Sequence, residues 1–182
     1  FQVWNYYLHH LYNTSWLQAD YENKKWFGGL QYVFQTADPY QEKLAYENRI
    51  YQPDEKGNII SVQLGYKFKK DEVRISVGYL HGFNTGRFIF PRELTRENFY
   101  VSQPRSWVDG FGALDIYMLR AQFKPKKKKW KGLSSDIRVE RVQVPSATDY
   151  AQNKYGIPSY FQSTIVAKYS FQKKLSGLHF AA

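Results

Sequence analysis

The sequence predicts an all-β protein, an antiparallel up-and-down meander that forms part of a transmembrane β-barrel. Apolar and polar residues alternate along nine segments with the period of two that strands have. The connections between these segments alternate between short and long. Aromatic residues make up 19% of a chain whose mean hydropathy is only −0.61, which suits strands with one apolar and one polar face.

The overall composition excludes several classes of protein. The 182 residues carry 26 Lys and Arg against 16 Asp and Glu, a net charge of +10, and contain no Cys. A disordered chain would be poor in aromatic residues, and a disulfide framework or Cys-based metal or redox site needs cysteines. No stretch approaches the roughly 18 apolar residues of a membrane-spanning helix. The chain starts at Phe1 rather than Met, and we expect it to be a piece of a longer protein.

Two neighbouring runs in the middle of the chain predict strands most clearly. The first places five apolar side chains on one face: Ile60, Val62, Leu64, Tyr66 and Phe68. The second repeats the pattern with Val73, Ile75, Val77 and Tyr79. The polar residues 69–72 between the runs predict a tight turn, so the two strands form a hairpin.

Seven further segments alternate in the same way and are rich in the β-branched and aromatic residues that strands favour. They cover residues 3–9, 17–22, 30–35, 116–123, 133–140, 164–171 and a last run from 175 to 182. In the first of these segments the apolar series is Trp4, Tyr6 and Leu8. No helix longer than one or two turns is predicted.

The connections between the predicted strands alternate in length. Short turns lie near residues 23–26, 69–72, 125–131 and 172–174, whereas long polar connections lie near 36–58, 82–112 and 145–162. Such alternation puts the turns at one end of a meander and the long loops at the other. Outer-membrane barrels have this organisation, with apolar side chains facing lipid and polar ones facing the lumen. A soluble sandwich with its apolar face inward shows the same strand pattern and stays an alternative at this point.

Aromatic and basic residues at the strand ends favour the membrane barrel. Rings gather there, as at Trp26, Tyr66, Phe123 and Tyr169, and membrane–water interfaces collect such residues. The short turns are rich in lysine, with Lys126 to Lys129 as the longest run. Each apolar face has four or five residues, which is half of the roughly 9–11 residues in a transmembrane strand.

Several short strings resemble the OprD-like outer-membrane porins, including those of Bacteroidetes and of the epsilon-proteobacterial group. Gln2-Val3-Trp4-Asn5-Tyr6-Tyr7 and Leu17-Gln18-Ala19-Asp20-Tyr21 are similar to a strand pair of that family. The stretch from Asp115 to Val139, with Trp130-Lys131-Gly132-Leu133-Ser134 inside it, is similar to a late hairpin. Tyr169-Ser170-Phe171 stands where the family has a strand ending in the same three residues.

The resemblance implies a barrel of about 18 strands that passes small solutes, often ones carrying a carboxylate. In this interpretation residues 1–182 are a single domain, a C-terminal-half fragment of the larger barrel. Nine predicted strands are an odd number, whereas bacterial single-chain barrels have even numbers. A nine-stranded sheet would also leave open edges, which lipid does not tolerate.

Five basic residues on the polar strand faces are the predicted lumen lining and solute-binding set: Lys67, Arg74, Arg120, Arg138 and Lys168. Arg or Lys facing lipid at the bilayer midplane costs about 2–4 kcal/mol, so in a barrel these side chains must face the lumen. We expect Asp20, Glu22, Asp136 and Glu140 to pair with some of them. A net positive lining favours anionic solutes.

The longest connection is the candidate for a loop that folds inward and narrows the passage. Residues 84–110 carry four basic residues, Arg87, Arg92, Arg96 and Arg105, beside the acidic Glu93, Glu97 and Asp109. A cationic wall facing an acidic one would select among ions at a constriction. An exposed extracellular loop of mixed charge is the alternative.

No catalytic group, metal site or cofactor is predicted. His9, His10, His81 and His179 match no catalytic or metal-binding motif, and there is no phosphate-binding glycine loop. We therefore expect a porin of a Gram-negative outer membrane, not an enzyme, that passes small hydrophilic, preferentially anionic solutes by passive diffusion. The expected partners are outer-membrane lipid and these solutes, with a homo-oligomer left open. Nucleic acid is not expected, because the cations lie mostly in turns and loops.

Two alternatives from other classes stay open on the sequence. One is an outer-membrane barrel hydrolase that acts on lipid or peptide. The other is a soluble β-barrel or sandwich that serves as a binding module.

Overall fold

A single antiparallel sheet, in which each strand pairs with the next one along the chain, dominates the computed structural model. The structure describes residues 1–69, 71–90, 97–103, 108–126, 130, 132–171 and 179–181. Within these ranges there are nine strands and two short 3-10 helices, Pro39–Lys43 and Tyr46–Asn48. None of the helices in the described ranges is long and apolar enough to cross a membrane. The predicted all-β meander is therefore confirmed.

The strands are longer than the sequence pattern alone predicts. Their bounds are β1 Gln2–Leu8, β2 Tyr12–Glu22, β3 Trp26–Ala37, β4 Lys56–Phe68, β5 Val73–Gly82, β6 Asp115–Phe123, β7 Leu133–Gln143, β8 Tyr160–Ser170 and β9 His179–Ala181. From β2 to β8 the strands have 9 to 13 residues, which brackets the roughly 9–11 residues that cross a bilayer at a tilt. Of the predicted last segment, residues 175–178 and 182 lie outside the described residues.

The turns and loops separate to opposite ends of the sheet, as the alternation predicts. β2 and β3 are joined by three residues, and the Asn23 Oδ1 atom accepts hydrogen bonds there from the backbone N–H groups of Lys25 (2.8 Å) and Trp26 (2.7 Å). The long connections follow β3, β5 and β7. We call the two ends the turn end and the loop end.

Strand register sorts the side chains of the sheet onto two faces. Lys67 lies opposite Arg74, and across the next strands Arg74 aligns with Gln122 and Asp136. Arg120 likewise lies opposite Arg138. Since side chains alternate between the faces along each strand, these charged residues share one face. We call it the inner face, and the opposite one the outer face.

The outer face is apolar and exposed. Its side chains retain between 40% and 70% of their accessible surface, in Leu17, Leu30, Leu64, Val77, Leu119, Val139 and Ile165. A soluble sandwich covers its apolar face, and soluble monomers rarely expose contiguous apolar patches of more than a few hundred Å². The sheet therefore has the inverted polarity of a membrane barrel, with apolar side chains outward and charged ones inward.

Rings form contacts at both ends of the outer face. At the turn end Tyr66 meets Trp26 and Phe68 edge to face, with ring centroids 4.8 and 4.7 Å apart. Nearer the loop end Tyr79 and Tyr117 pack at 5.1 Å. These rings flank the aliphatic residues of the outer face, as aromatic belts do at the two interfaces of a membrane barrel.

In β1 the predicted apolar series lies on the inner face of the sheet. Trp4 lies opposite Trp16 and stacks on it at 5.2 Å, so Trp4, Tyr6 and Leu8 lie on the inner face. Val3, Asn5 and Tyr7 lie on the outer face instead. The apolar series predicted for this strand is thus not its outer series. The physical reason is that Trp4 and Tyr6 pack against a hydrophobic core on the inner face.

That core forms between the loop-end half of the inner face and the connection that follows β5. Residues 83–114 contribute seven buried apolar side chains: Phe88, Phe90, Phe99, Val101, Val108, Phe111 and Leu114. They pack against Trp16, Val33, Ile59, Leu80, Ile116, Met118 and Val142 of the strands. The connection is therefore folded onto the sheet rather than extended into solvent.

The inverted polarity leads to a measurable difference between two neighbouring positions of β6. We expect Leu119→Arg, on the outer face, to lower the free energy of unfolding by about 2–4 kcal/mol, because lipid does not solvate the guanidinium. Gln122→Arg, on the inner face of the same strand, should cost much less. The measurement is a denaturant titration of the full-length protein in phospholipid vesicles. Equal losses at both positions would contradict the assignment of the faces.

Candidate lumen surface

The cations nearest the turn end of the inner face are held by carboxylates. The Lys67 Nζ atom forms an ion pair with Glu22 and also donates to the Asn23 carbonyl oxygen at 2.7 Å. Arg74 donates to both carboxylate oxygens of Asp71, at 2.6 and 2.8 Å, and to Glu22 at 3.2 Å. The hydrogen bonds from Arg74 lower the pKa of the Asp71 carboxyl. Two cations thus face two carboxylates, and the group is close to neutral.

A second charged group lies where β6, β7 and the long connection meet. Asp136 accepts from Arg120 through Nε at 2.9 Å and Nη2 at 2.6 Å, and from the Arg138 Nη2 atom at 2.8 Å. The Arg138 Nη1 atom donates to the Ser102 carbonyl oxygen at 2.7 Å. Two guanidinium groups therefore share the Asp136 carboxylate, so these three side chains together carry one net positive charge.

The other residues of the predicted lining have different surroundings. Lys168 is exposed and, among the described residues, forms no ion pair. Asp20 accepts hydrogen bonds from neutral donors, the Gln18 amide at 2.7 Å and the Tyr100 hydroxyl at 2.5 Å. Glu140 is fully buried on the inner face opposite Met118. Glu22 and Asp136, which were expected to pair with the lining, contact its cations directly.

Amide side chains of β3 hold the long connection onto the inner face. The Gln35 side chain donates to the Ile89 carbonyl oxygen and accepts from the Ile89 N–H group, both at 2.8 Å. The Gln31 side chain donates to the Asn98 carbonyl oxygen at 2.9 Å and accepts from the Tyr100 N–H group at 3.2 Å. On β8, Thr164 contacts the Gln103 amide. These contacts run from β3 to β8 and place the described residues of this connection, 83–90, 97–103 and 108–114, over the sheet.

Two strand glycines allow this close approach. A Cβ atom at Gly29 would overlap the Tyr100 hydroxyl, and a Cβ atom at Gly78 would lie 3.0 Å from the Val101 side chain. Glycine inside a strand often marks such a contact with another part of the backbone. The connection therefore lies over the inner face, as the prediction of an inward-folded loop requires.

Of the four arginines predicted to form a cationic wall in that connection, the structure describes Arg87. Arg92, Arg96, Arg105 and Glu93 lie outside the described residues. Arg87 is bound by Glu55 of the preceding long connection, with Nε–Oε1 at 2.7 Å and Nη2–Oε2 at 2.9 Å. These hydrogen bonds raise the pKa of the Arg87 guanidinium. Arg87 therefore ties two loops together, and its charge is compensated.

Glu97 and Asp109 accept hydrogen bonds that stabilise the same connection. The Glu97 Oε1 atom accepts from the N–H groups of Val108 and Asp109 at 3.2 and 3.0 Å, and burial raises the pKa of its carboxyl. Asp109 accepts from the Phe90 N–H group at 2.7 Å and from the Tyr155 hydroxyl at 2.8 Å. The second carboxylate thus joins the connection to the loop between β7 and β8.

Several residues that organise this surface carry no charge and were not predicted as site residues: Gln31, Gln35, Tyr100 and Gln103. Their long-range contacts go to the backbone, to neutral side chains and, from Tyr100, to the Asp20 carboxylate, across 54 to 80 positions of sequence. In the sequence, two glutamines on the polar face of β3 were the feature that could have indicated these contacts. Glutamines on a polar strand face are equally expected where the face is simply solvated.

Three of the histidines contact aromatic rings or a carboxylate. The rings of His9 and His10 stack at 3.7 Å, and His10 stacks on Tyr40 at 3.8 Å. His81 contacts Asp115 through Nδ1 at 2.9 Å on the outer face. Across the described ranges, no group of three or more His, Asp or Glu side chains is placed to hold a metal ion.

Solved structures with a similar sheet are outer-membrane channels. The chain shares its fold with Occ-type porins. OccK2 (OpdF) of Pseudomonas aeruginosa, in complex with glucuronate, matches 98% of this chain with a TM-score of 0.70 and 13% identity. OccAB4 of Acinetobacter baumannii matches 98% with a TM-score of 0.71 and 12% identity. OccD1 (OprD) also matches 98%, with a TM-score of 0.71 and 15% identity.

The similarity covers only part of each of these porins. The chain spans 46% of OccK2, 42% of OccAB4 and 47% of OccD1, so it corresponds to less than half of their length. No model of a known protein family matches the sequence, and no curated protein sequence matches it either.

The ion pair between the loops leads to a testable outcome. We expect Glu55→Gln to increase trypsin cleavage within residues 83–114 by about fivefold or more, because a loss of 1–2 kcal/mol changes the open fraction by about 5–30-fold. Mass spectrometry of the released peptides measures the rate. Glu47→Gln, at an exposed position of the same preceding connection, is the control and should leave the rate unchanged. Equal rates in both variants would show that the pair does not hold the loop.

Proposed function

We propose that this chain is part of a Gram-negative outer-membrane porin that passes small hydrophilic, preferentially anionic solutes by passive diffusion. The observation that carries the proposal is the inverted polarity of the sheet, with exposed aliphatic side chains outward and ion-paired side chains inward. The loop packed across the inner face supports it, because a folded segment at that place narrows a lumen without closing it. The shared fold with the Occ porins supports it as well.

A preference for anions follows from the charges of the inner face. The group formed by Arg120, Asp136 and Arg138 has one more cation than carboxylates, and Lys168 adds a further positive charge. Rings and patches of cationic side chains favour anions in a pore. OccK2 was solved with glucuronate, a sugar carrying a carboxylate, and a similar solute would suit this surface.

The proposed barrel is larger than the sheet described here. We propose that the strands form about half of a barrel of about 18 strands in a porin related to the OprD-like family, of the Bacteroidetes or epsilon-proteobacterial type. β1 and β9 have unpaired edges in the described sheet, and lipid does not tolerate unpaired backbone groups. Completion of the barrel by further strands would satisfy them.

Transport in this proposal needs no catalysis and no cofactor. A barrel hydrolase on the same scaffold would need a nucleophile, a base and an oriented acid in mutual contact. In the part of the chain that the structure describes, His81 contacts Asp115 on the outer face, where an aqueous substrate has no access. A soluble binding module would have to cover the outer face.

Conductance measurements on the full-length protein separate these possibilities. The porin predicts heat-modifiable mobility in gels, a requirement for detergent, and discrete current steps in a planar bilayer. Insertion without current steps would contradict a pore and favour the hydrolase. Stability and solubility without detergent would contradict both membrane proposals.

The lining residues are tested by charge reversal. We expect Arg74→Glu and Arg120→Glu each to lower the anion-over-cation permeability ratio, read from the reversal potential in a salt gradient, because each places a new carboxylate on the inner face. Lys24→Glu makes the same change of charge at an exposed turn and is the control. Unchanged reversal potentials in the first two variants would refute the assignment of these residues to the lumen.

The role of the long connection is tested on its remaining cations. We expect joint replacement of Arg92, Arg96 and Arg105 by Gln to lower anion selectivity more than joint replacement of Lys24, Lys25 and Lys69, which lie at the turn end. Both variants lose three positive charges, so only the position differs. Equal changes in reversal potential would place the arginines away from the narrow part of the passage.

A further inference from the structure

A groove of about 540 Å³ crosses the outer face of the sheet. On the loop side it is bordered by a row of side chains that are aligned by register: Val62, Tyr79, Tyr117, Arg141 and Phe161. On the turn side it is bordered by a fully aliphatic row: Leu64, Val77, Leu119 and Val139. We call this feature the outer groove. Its volume is within the range of about 300–1,000 Å³ that small ligands occupy.

Arg141 is the charged side chain at the rim of the outer groove. It is exposed, and its guanidinium lies over the Phe161 ring at 5.7 Å from the centroid. Four other arginines of the described residues contact a carboxylate, namely Arg74, Arg87, Arg120 and Arg138. Within the described chain Arg141 has no such partner. The nearby outer-face carboxylate, Asp115, already accepts hydrogen bonds from Tyr79 and His81.

The place of Arg141 in the strand explains how a charge is tolerated on this face. It lies two residues before the loop end of β7, next to Tyr117, and the aliphatic Ile137 and Val139 precede it on the same face. A long basic side chain at this height can keep its head in the interfacial region. Phosphate groups are the anions of that region, and a guanidinium binds phosphate through two parallel hydrogen bonds.

We propose that the outer groove binds an acyl chain of a phosphate-bearing lipid of the outer leaflet, with Arg141 holding the phosphate. This inference rests on the proposed function, since only a membrane-embedded sheet presents the groove to lipid. The aliphatic row and the two tyrosine rings contact the chain, and Arg141 supplies selectivity for the anionic head group. Charge complementarity favours this occupant over a second copy of the protein. The described outer face of a second copy would present Asp115 to Arg141, and this carboxylate is already hydrogen-bonded to Tyr79 and His81.

The test is a lipid titration of the full-length protein in detergent micelles, followed by native mass spectrometry. The probes are dimyristoyl phosphatidic acid and dimyristoyl phosphatidylcholine, which have the same acyl chains and differ in head-group charge. We expect one phosphatidic acid molecule to be retained in preference to phosphatidylcholine. Arg141→Gln should weaken retention of phosphatidic acid by about tenfold or more, because a hydrogen bond to a charged group is lost.

Two further variants separate the groove from general effects of charge. Arg120→Gln removes the same charge from the inner face of the neighbouring strand, and we expect unchanged lipid retention. Val77→Trp fills the groove but keeps Arg141, and we expect weaker retention of both lipids. Heat-modifiable mobility in gels shows that each variant is folded.

The outcomes are distinct for the two proposals. Equal retention of both lipids, or no effect of Arg141→Gln, in a wild-type protein that forms pores would overturn the lipid inference alone. A dimer that dissociates in Val77→Trp without any bound lipid would also overturn it, in favour of a second copy. Absence of pores together with solubility without detergent would overturn the proposed function and this inference with it.

Discussion

Register between the antiparallel strands decides on which side of the sheet every side chain lies, and the rest of the structure depends on it. A slip of one residue would exchange the two faces of a strand. In β6 the slip would turn Leu119 inward and Arg120 outward, and it would separate Arg120 from Asp136. The apolar outer row and the inner ion pairs therefore stabilise the same register. Backbone hydrogen bonding, the exposed apolar outer face and the ion pairs of the inner face therefore all favour the same strand register.

Ion pairs between basic side chains and carboxylates reduce the net charge of the inner face. Arg74 and Lys67 lie against Glu22 and Asp71, so this turn-end group contributes little net field. Asp136 compensates only one of the two guanidinium groups beside it. Lys168, nearer the turn end, adds an exposed cation, so the positive charge of the inner face is carried by a few side chains. A basic composition by itself does not show this, since many of the lysines of the chain are in turns and only a few side chains of the inner face are left uncompensated.

Alternation and turn composition were sufficient to predict the strands, the meander and the shared face of the five basic residues. The length of the connection pointed to residues 84–110 as a segment that folds inward, but the pattern did not predict which side chains that segment contacts. The strand pattern assigns Trp4 and Tyr6 to the apolar outer face, because it does not show that a distant connection packs on them. Arg87 was predicted to belong to a cationic wall, because its partner Glu55 is 32 positions away in the sequence on another loop. Contacts between loops depend on tertiary geometry, and no periodicity along the chain encodes them.

The packing of the long connection divides the inner face into two halves with different physical properties. Near the loop end the sheet and the described part of the connection after β5 form a hydrophobic core, and near the turn end the side chains are charged and partly exposed. A solute in the proposed pore would meet the folded connection first and the charges afterwards. Arg138 joins the two halves, because it donates to Asp136 through Nε and Nη2 and to the Ser102 carbonyl oxygen through Nη1. In the proposed pore, movement of the connection would therefore change the field of the charged group, and this one side chain would link the width of the passage to its selectivity.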